Sequence, residues 1–178
     1  MPTWVALLRA VNLGARNKVS MPALRTALAE AGFTDVRTYV QSGNVVLGSD
    51  LTEPADVGLA VRTVVAEVSG VDTPVVVRRG EELAEVLAWN PFPEAAAERP
   101  HLVQVVHLAA EPEPAAVEAV LAEDVAPDAV AVRGREMVIA YDVTSRNSRT
   151  ERATRKIGVD GTARNWRTLT ALVGLTRE

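Results

Sequence analysis

The first half of the chain alternates short apolar, β-branched runs with segments in which apolar residues recur at helical spacing. Runs of the first kind, bounded by turn residues, are typical of strands, and the second spacing is typical of helices. The pattern predicts strands at 4–11, 36–40, 45–48 and 74–79, a helix from Ser20 to Gly32, and a helix from Thr52, as its cap, to Gly70. This order is that of a β-α-β-β-α-β, or ferredoxin-like, unit.

A similar order of elements follows in the second half. A helix at 81–89 leads into a connection marked by Pro91, Pro93 and Pro100, which predicts domains at 1–90 and 91–178. The apolar pattern then predicts a strand at 101–108, a helix at 113–122, strands at 129–133 and 136–141, and helical segments to the end. We therefore expect an α+β protein with two ferredoxin-like halves, the second incomplete because helices replace its final strand.

Composition narrows the class of protein. The 178 residues include no cysteine, which excludes disulfides and thiol nucleophiles. No apolar stretch reaches the roughly 18 residues that a membrane span requires. The apolar run at 4–8 ends at Arg9 and lacks the features of a signal peptide. We expect a soluble cytoplasmic protein with no membrane partner, and the sequence does not indicate its oligomeric state.

Charge is distributed unevenly along the chain. Residues 1–49 contain five Lys+Arg and two Asp+Glu, a net charge of +3. Residues 50–142 contain six and 18, a net charge of −12, and residues 143–178 contain eight and three, a net charge of +5. If the two basic ends meet in the fold, they form a surface that favours an anionic ligand; alternatively, these charges are solvated on separate faces.

The predicted topology brings polar residues of the first half to one edge of the sheet. In a β-α-β-β-α-β unit, the carboxyl end of the first strand lies beside the tip of the hairpin between strands two and three. The polar residues at that edge are Arg9, Asn12, Arg16, Asn17, Lys18, Gln41, Ser42 and Asn44. Gly14 and Gly43 would let backbone N–H groups approach a ligand closely. The helix that begins near Met21 would direct the positive end of its dipole toward that ligand.

Such an edge suits a phosphate or a carboxylate. The alternative is that the asparagines satisfy their own loop, the Ser42-Gly43-Asn44 segment is only a turn, and the cations point into water.

A second basic cluster lies near the end of the chain. Thr162 is placed to cap a helix whose apolar face includes Trp166, which leaves Arg164 and Asn165 near the helix start. We predict that this segment folds back so that Arg164 and Asn165 approach the loop that carries Asn12 and Lys18. The arginines spaced every three residues from 146 to 155 form either a broad basic band or a solvated connector.

No metal, cofactor or catalytic motif is indicated. His101 and His107 are six positions apart on a predicted strand, roughly 20 Å by strand rise, too far to share a metal ion. The chain has no nucleophile elbow, phosphate-binding P-loop, zinc-protease motif or dinucleotide fingerprint. RNA-recognition modules carry stacking aromatic residues on strand three, whereas that strand here is Val45-Val46-Leu47. Tyr39, beside the hairpin, can stack a single base.

Several stretches of the chain resemble a bacterial family that is known as the domain of unknown function number sixteen-ninety-seven. They are Val5–Gly14, Lys18–Met21 with Leu24, Gly32-Phe33, Val36–Val46, and Thr162–Trp166 with Thr168 and Leu172. The resemblance covers nearly the whole chain and implies an α+β protein with paired ferredoxin-like halves. It implies no activity.

Three functions are consistent with the sequence. The leading hypothesis is a protein that binds a phosphate-bearing ligand, a nucleotide or structured RNA, between the loop at 9–18 and the turn at 41–44. The second is a small-molecule hydrolase or transferase for an anionic substrate, in which Arg9, Lys18 or Arg164 stabilises developing negative charge. The third is an interaction module without a ligand.

Overall fold

A computed structural model describes residues 1–178 as two compact units with two four-stranded antiparallel sheets and seven α-helices. The first unit comprises Met1–Glu85 with Ala171–Glu178, and the second comprises Val86–Thr170. None of the helices combines the length and the hydropathy that crossing a membrane would require. The predicted division into domains at residue 90 stays a prediction.

The first sheet belongs to a β-α-β-β-α-β arrangement, as the apolar pattern predicts. Its elements are β1 (Thr3–Leu8), α1 (Met21–Glu30), β2 (Thr34–Tyr39), β3 (Asn44–Gly48), α2 (Pro54–Ser69) and β4 (Val75–Arg79). The strand order is β2-β3-β1-β4, and β1 pairs antiparallel with both β3 and β4. The central position of β1 explains why Trp4 to Leu8 are all buried.

Local sequence signals account for the ends of the two helices. Ser20 caps α1, because its hydroxyl oxygen accepts a hydrogen bond from the Ala23 N–H at 3.4 Å. Gly70 ends α2 in the left-handed conformation at φ 69°. The prediction that Thr52 caps α2 is wrong, since Glu53 holds the cap position and makes no side-chain hydrogen bond there. The helices pack on one face of the sheet around Leu24 and Val61.

The second unit contains the remaining sheet. Along the chain after β4, the elements are α3 (Gly80–Trp89), α4 (Pro93–Glu98), β5 (Val103–Leu108), α5 (Pro114–Leu121), β6 (Ala129–Arg133), β7 (Glu136–Ala140), α6 (Ser148–Thr154), a 3₁₀ turn (Arg155–Ile157), β8 (Gly161–Asn165) and α7 (Trp166–Leu175). The division between the units falls within α3 and within α7. The strand order is β6-β7-β5-β8, the counterpart of the order in the first sheet. Both sheets are consistent with ferredoxin-like halves.

The segment before Trp166 differs from the sequence prediction. Gly161–Asn165 forms β8, antiparallel to β5, so the second sheet has its fourth strand and the predicted incomplete half is wrong. Thr162 accordingly lies on a strand and does not cap a helix. Thr162 and Arg164 are buried while Ala163 is exposed, the period of two that a strand imposes. The strand forms because the backbone N–H and C=O groups along the open side of β5 need hydrogen-bond partners. This requirement is long-range, so the helical spacing of apolar residues after Trp166 does not reveal it.

Candidate functional site

The structure brings the 9–18 loop, residues 9 to 18, against the 41–44 turn, residues 41 to 44. Leu7 on β1 pairs with Asn44 on β3, and the Leu8 N–H donates to the Gly43 carbonyl at 2.9 Å. The loop begins where β1 ends, and the turn ends where β3 begins. The antiparallel pairing of β1 with β3 therefore holds the two segments together at one edge of the sheet.

The Asn12 side chain joins three segments of this edge. Its Nδ2 donates to the Val19 carbonyl at 2.9 Å and to the Gln41 carbonyl at 2.7 Å. Its Oδ1 accepts from the Val19 N–H at 2.9 Å, and its own N–H donates to the Asn17 carbonyl at 3.0 Å. The side-chain amide of Asn12 therefore makes its hydrogen bonds within the protein, and these bonds link the loop, the residue before the Ser20 cap of α1, and the turn.

The other two asparagines of the edge also support its shape. The Asn17 Nδ2 donates to the Ala10 carbonyl at 3.2 Å, within the loop. Asn44 is fully buried, and its Nδ2 donates to the Tyr39 carbonyl at 3.0 Å and to the Ser42 hydroxyl oxygen at 2.9 Å. The side-chain amides of Asn17 and Asn44 therefore make their hydrogen bonds within the loop and the turn, as the alternative interpretation of the sequence predicts.

Cations and one amide of the edge face solvent. Arg16, Lys18 and Gln41 are exposed, and the side chains of Arg16 and Lys18 form no hydrogen bond or ion pair. Arg9 is half-buried, and its backbone is tied to β4 because its N–H donates to the Pro74 carbonyl at 3.0 Å. The Thr73 hydroxyl donates to the Arg9 carbonyl at 2.5 Å. The edge therefore combines a fixed backbone with two unpaired positive charges.

Left-handed backbone is concentrated in these two segments and the residue before the turn. Of the six non-glycine residues with positive φ in the chain, four are Ala10 (50°), Asn12 (55°), Asn17 (51°) and Val40 (50°). Outside glycine and asparagine this conformation costs about 1 kcal/mol or more per residue. The hydrogen bonds of Asn12 and Asn17 span these residues and oppose that cost.

The N terminus of α1 contributes less than the sequence suggests. Among its first three residues, Pro22 has no N–H and the Ala23 N–H is taken by the Ser20 hydroxyl. Met21 alone retains an N–H that no cap occupies. The expected anion site at this helix start therefore has one donor in place of several.

Arg164 and Asn165 lie on β8 in the second unit. Arg164 is 8% exposed, and its Nη1 donates to the Thr162 hydroxyl oxygen and to the Ala163 carbonyl, both at 2.8 Å. Burial lowers the pKa of Arg164 to about 10, so the guanidinium stays charged at neutral pH. The Asn165 Oδ1 caps α7 by accepting from the Thr168 N–H at 2.9 Å. That these residues approach the 9–18 loop stays a prediction.

A buried acid–base pair in the second unit was missed by the sequence analysis, which considered His107 only as a metal ligand. His107 on β5 and Glu136 on β7 are register partners, and the His107 Nδ1 lies 2.6 Å from the Glu136 Oε2. His107 is fully buried and its Nε2 makes no hydrogen bond. Thr162 is its partner on β8, so Glu136, His107 and Thr162 form a polar row across the sheet, and Arg164, two residues after Thr162, lies on the same face. The predicted topology already places the end of β5 beside the start of β7, which is the signal that identifies the pair.

Replacing Asn12 tests whether its amide holds the edge together. Asn12→Gly keeps the left-handed backbone but loses the side-chain hydrogen bonds, and we expect a loss of about 1–3 kcal/mol in the free energy of unfolding. Asn12→Ala should lose about 1 kcal/mol more, because alanine adds the cost of positive φ. Urea unfolding of the two variants and the wild type measures both differences. An Asn12→Gly protein as stable as the wild type would show that the bridge contributes nothing.

Two glycines with similar backbone angles separate crowding from conformational strain. Gly43 has φ 76°, and a Cβ there would lie 2.5 Å from Val11 Cγ2 and 2.7 Å from Leu8 Cβ. Gly14 has φ 65° with nothing within 4 Å of that position. Gly14→Ala should cost about 1 kcal/mol of stability, and Gly43→Ala about 1–3 kcal/mol more. Equal melting temperatures of the two variants would contradict the close packing of the turn on β1.

Comparison with known proteins places the chain in a family and gives its fold a solved counterpart. Residues 1–137 match a family model described as "Protein of unknown function (DUF1697)". The chain is also similar in structure to a conserved bacterial protein, SP0830 from Streptococcus pneumoniae, at 19% sequence identity and a TM-score of 0.77. That similarity covers 100% of this chain and 99% of the other and concerns the fold alone. No curated protein matches. The chain belongs to the DUF1697 family of proteins of unknown function.

Proposed function

We propose that the edge formed by the 9–18 loop and the 41–44 turn binds a phosphate-bearing ligand, a nucleotide or structured RNA. The observation that carries the proposal is that Arg16 and Lys18 are exposed and unpaired on a loop whose backbone is held in place by Asn12. Because the backbone of this loop is already ordered, little conformational entropy is lost when its cations bind an anion. The electrostatic attraction then contributes more of its free energy to the affinity.

The charge of the whole chain supports a local site. The chain carries a net charge of −4, whereas residues 1–49 carry +3, with Arg16 and Lys18 among their cations. Residues 50–142, with a net charge of −12, repel a polyanion, whereas the cations of this edge attract it, an arrangement that favours one orientation of the ligand. Arginine adds a planar guanidinium that can hold two phosphate oxygens, while lysine acts as a point charge.

Backbone donors add to the side chains. Gly14 has positive φ and open space around its Cβ position, so a ligand can reach the backbone of the 9–18 loop there. Successive N–H groups in turn conformations that include left-handed residues form anion-binding concavities, and this loop has left-handed residues at Asn12, Gly14 and Asn17. The proposal assigns contact roles to Arg9, Arg16, Lys18 and Gln41, and supporting roles to the three asparagines and Ser42.

Affinity for RNA as a function of salt tests this proposal. A labelled single-stranded RNA, an RNA hairpin and a labelled nucleotide are titrated at several salt concentrations by fluorescence anisotropy. Arg16→Gln and Lys18→Gln should each weaken RNA binding and reduce the logarithmic salt slope by about 1, the value for one lost phosphate contact.

Arg25→Gln is the matched control. Arg25 is an exposed arginine on α1 in the same unit, without a side-chain partner, and its replacement removes the same charge. It should leave the salt slope unchanged. No binding of the wild type at low salt, or an equal effect of all three substitutions, would refute a site at this edge.

A second proposal is a hydrolase or transferase for an anionic substrate, and the pair formed by His107 and Glu136 favours it. A carboxylate beside Nδ1 with a free Nε2 is the arrangement that orients a histidine as a general base. Of the three candidate groups to stabilise developing negative charge, Arg9, Lys18 and Arg164, only Arg164 belongs to the same unit as this pair.

The enzymatic proposal is tested by activity across phosphoesters, esters and acyl donors. Turnover should fall by about 100-fold or more in His107→Gln, the size expected for loss of general-base catalysis. Arg164→Gln should also lower turnover, and circular dichroism checks that each variant is folded. Silence of the wild type across the panel would count against this proposal and leave the binding proposal intact.

A further inference from the structure

Exposed apolar side chains accompany the cations of the edge. Leu13, in the 9–18 loop, is 66% exposed, and Val40, next to the 41–44 turn, is 52% exposed. Each is a chain neighbour of a residue in the hydrogen bond from Asn12 to the Gln41 carbonyl, so this bridge holds both at one place. Tyr39 directly precedes Val40 in the chain and is partly exposed. Its side chain forms no hydrogen bond or ring contact.

Val40 is the least expected of these residues. A β-branched residue with φ 50° is a conformational outlier, because its side chain crowds the backbone in the left-handed region. Asparagine or glycine would suit that position better. Val40 also leaves half of its side chain in water. The fold thus gains little from this side chain, which makes it available to contact something else.

We propose that this edge holds a nucleobase as well as phosphate, with Tyr39, Leu13 and Val40 as the apolar contact, so that its ligand is single-stranded RNA or a nucleotide. The inference rests on the proposed function and names which phosphate-bearing ligand the site takes. A duplex presents phosphates but stacks its bases inside, and inorganic polyphosphate has no base. An apolar surface beside unpaired cations matches the two faces of an unpaired nucleotide, one flat and apolar and the other anionic.

The observations favour a base over a lipid surface. An exposed leucine between cations is also found in loops that enter membranes, but a single buried leucine supplies only marginal binding. The net charge of −4 would oppose approach to an anionic bilayer, whereas a short nucleotide experiences the local charge of the edge. Binding to lipid is therefore treated as an outcome of the test.

The experiment compares single-stranded RNA with inorganic polyphosphate of similar charge, using the full chain. Tyr39→Leu should weaken RNA binding by about 5- to 150-fold, the range for loss of one base stacked on an aromatic ring, and leave polyphosphate binding unchanged. Tyr39→Phe keeps the ring and should bind RNA as the wild type does. Leu13→Ser changes an exposed residue, so it should weaken RNA binding without affecting the melting temperature.

Val40→Asn provides a variant in which stability and binding move in opposite directions. Asparagine tolerates the left-handed conformation, so the melting temperature should rise, while RNA affinity falls because the apolar contact is lost. This result separates a ligand contact from a structural role, since a structural role would lower both quantities or neither.

The outcomes distinguish the inference from the proposed function. Equal affinity of the wild type for RNA and polyphosphate, with no effect of Tyr39→Leu or Leu13→Ser, would overturn the base contact and leave phosphate binding in place. No affinity for either probe would refute the proposed function and this inference together. Binding to vesicles of anionic phospholipid that is lost in Leu13→Ser, with RNA binding unchanged, would assign the apolar residues to a membrane surface and overturn the inference.

Discussion

The side-chain amide of Asn12 is the interaction on which the candidate site depends. One side chain connects the carbonyl of Gln41 in the turn with both backbone groups of Val19, just before α1. Without this link, the 9–18 loop would be attached mainly at its two ends, and the entropy of ordering it would favour many conformations. With it, the loop keeps several left-handed residues and holds its cations at a defined edge.

The pairing of β1 with β3 supplies the second constraint. It places Gly43 against Leu8 and Val11 so closely that a side chain would not fit, and therefore sets the distance between loop and turn. This close approach explains why the 41–44 turn needs glycine at that position for both conformation and space, whereas Gly14 is needed only for conformation. The geometry of the edge follows from the topology of the sheet and from the absence of one Cβ atom.

The cations of the edge and the polar residues of the second sheet have different surroundings. At the edge, Arg16 and Lys18 remain in water, where they contribute little to stability and are available to a ligand. In the second sheet, His107, Glu136, Thr162 and Arg164 are buried on one face, where a polar group without a partner lowers the stability of the fold. A buried pair of this kind adds little net stability, and the pair of His107 and Glu136 is therefore the observation on which the enzymatic proposal rests.

Most of the elements, and the expectation that the 9–18 loop meets the 41–44 turn, follow from local patterns in the sequence. Apolar periodicity is a local property, and it predicts β1 to β4, α1, and the order of elements that brings the loop to the turn. Tertiary structure decided what local patterns do not encode. Gly161–Asn165 forms a strand because its backbone groups pair with those of β5. The Asn12 amide holds the 9–18 loop against the 41–44 turn because the fold brings the Gln41 carbonyl within hydrogen-bond distance. Both features depend on partners that are distant in the sequence and come within reach only when the chain has folded.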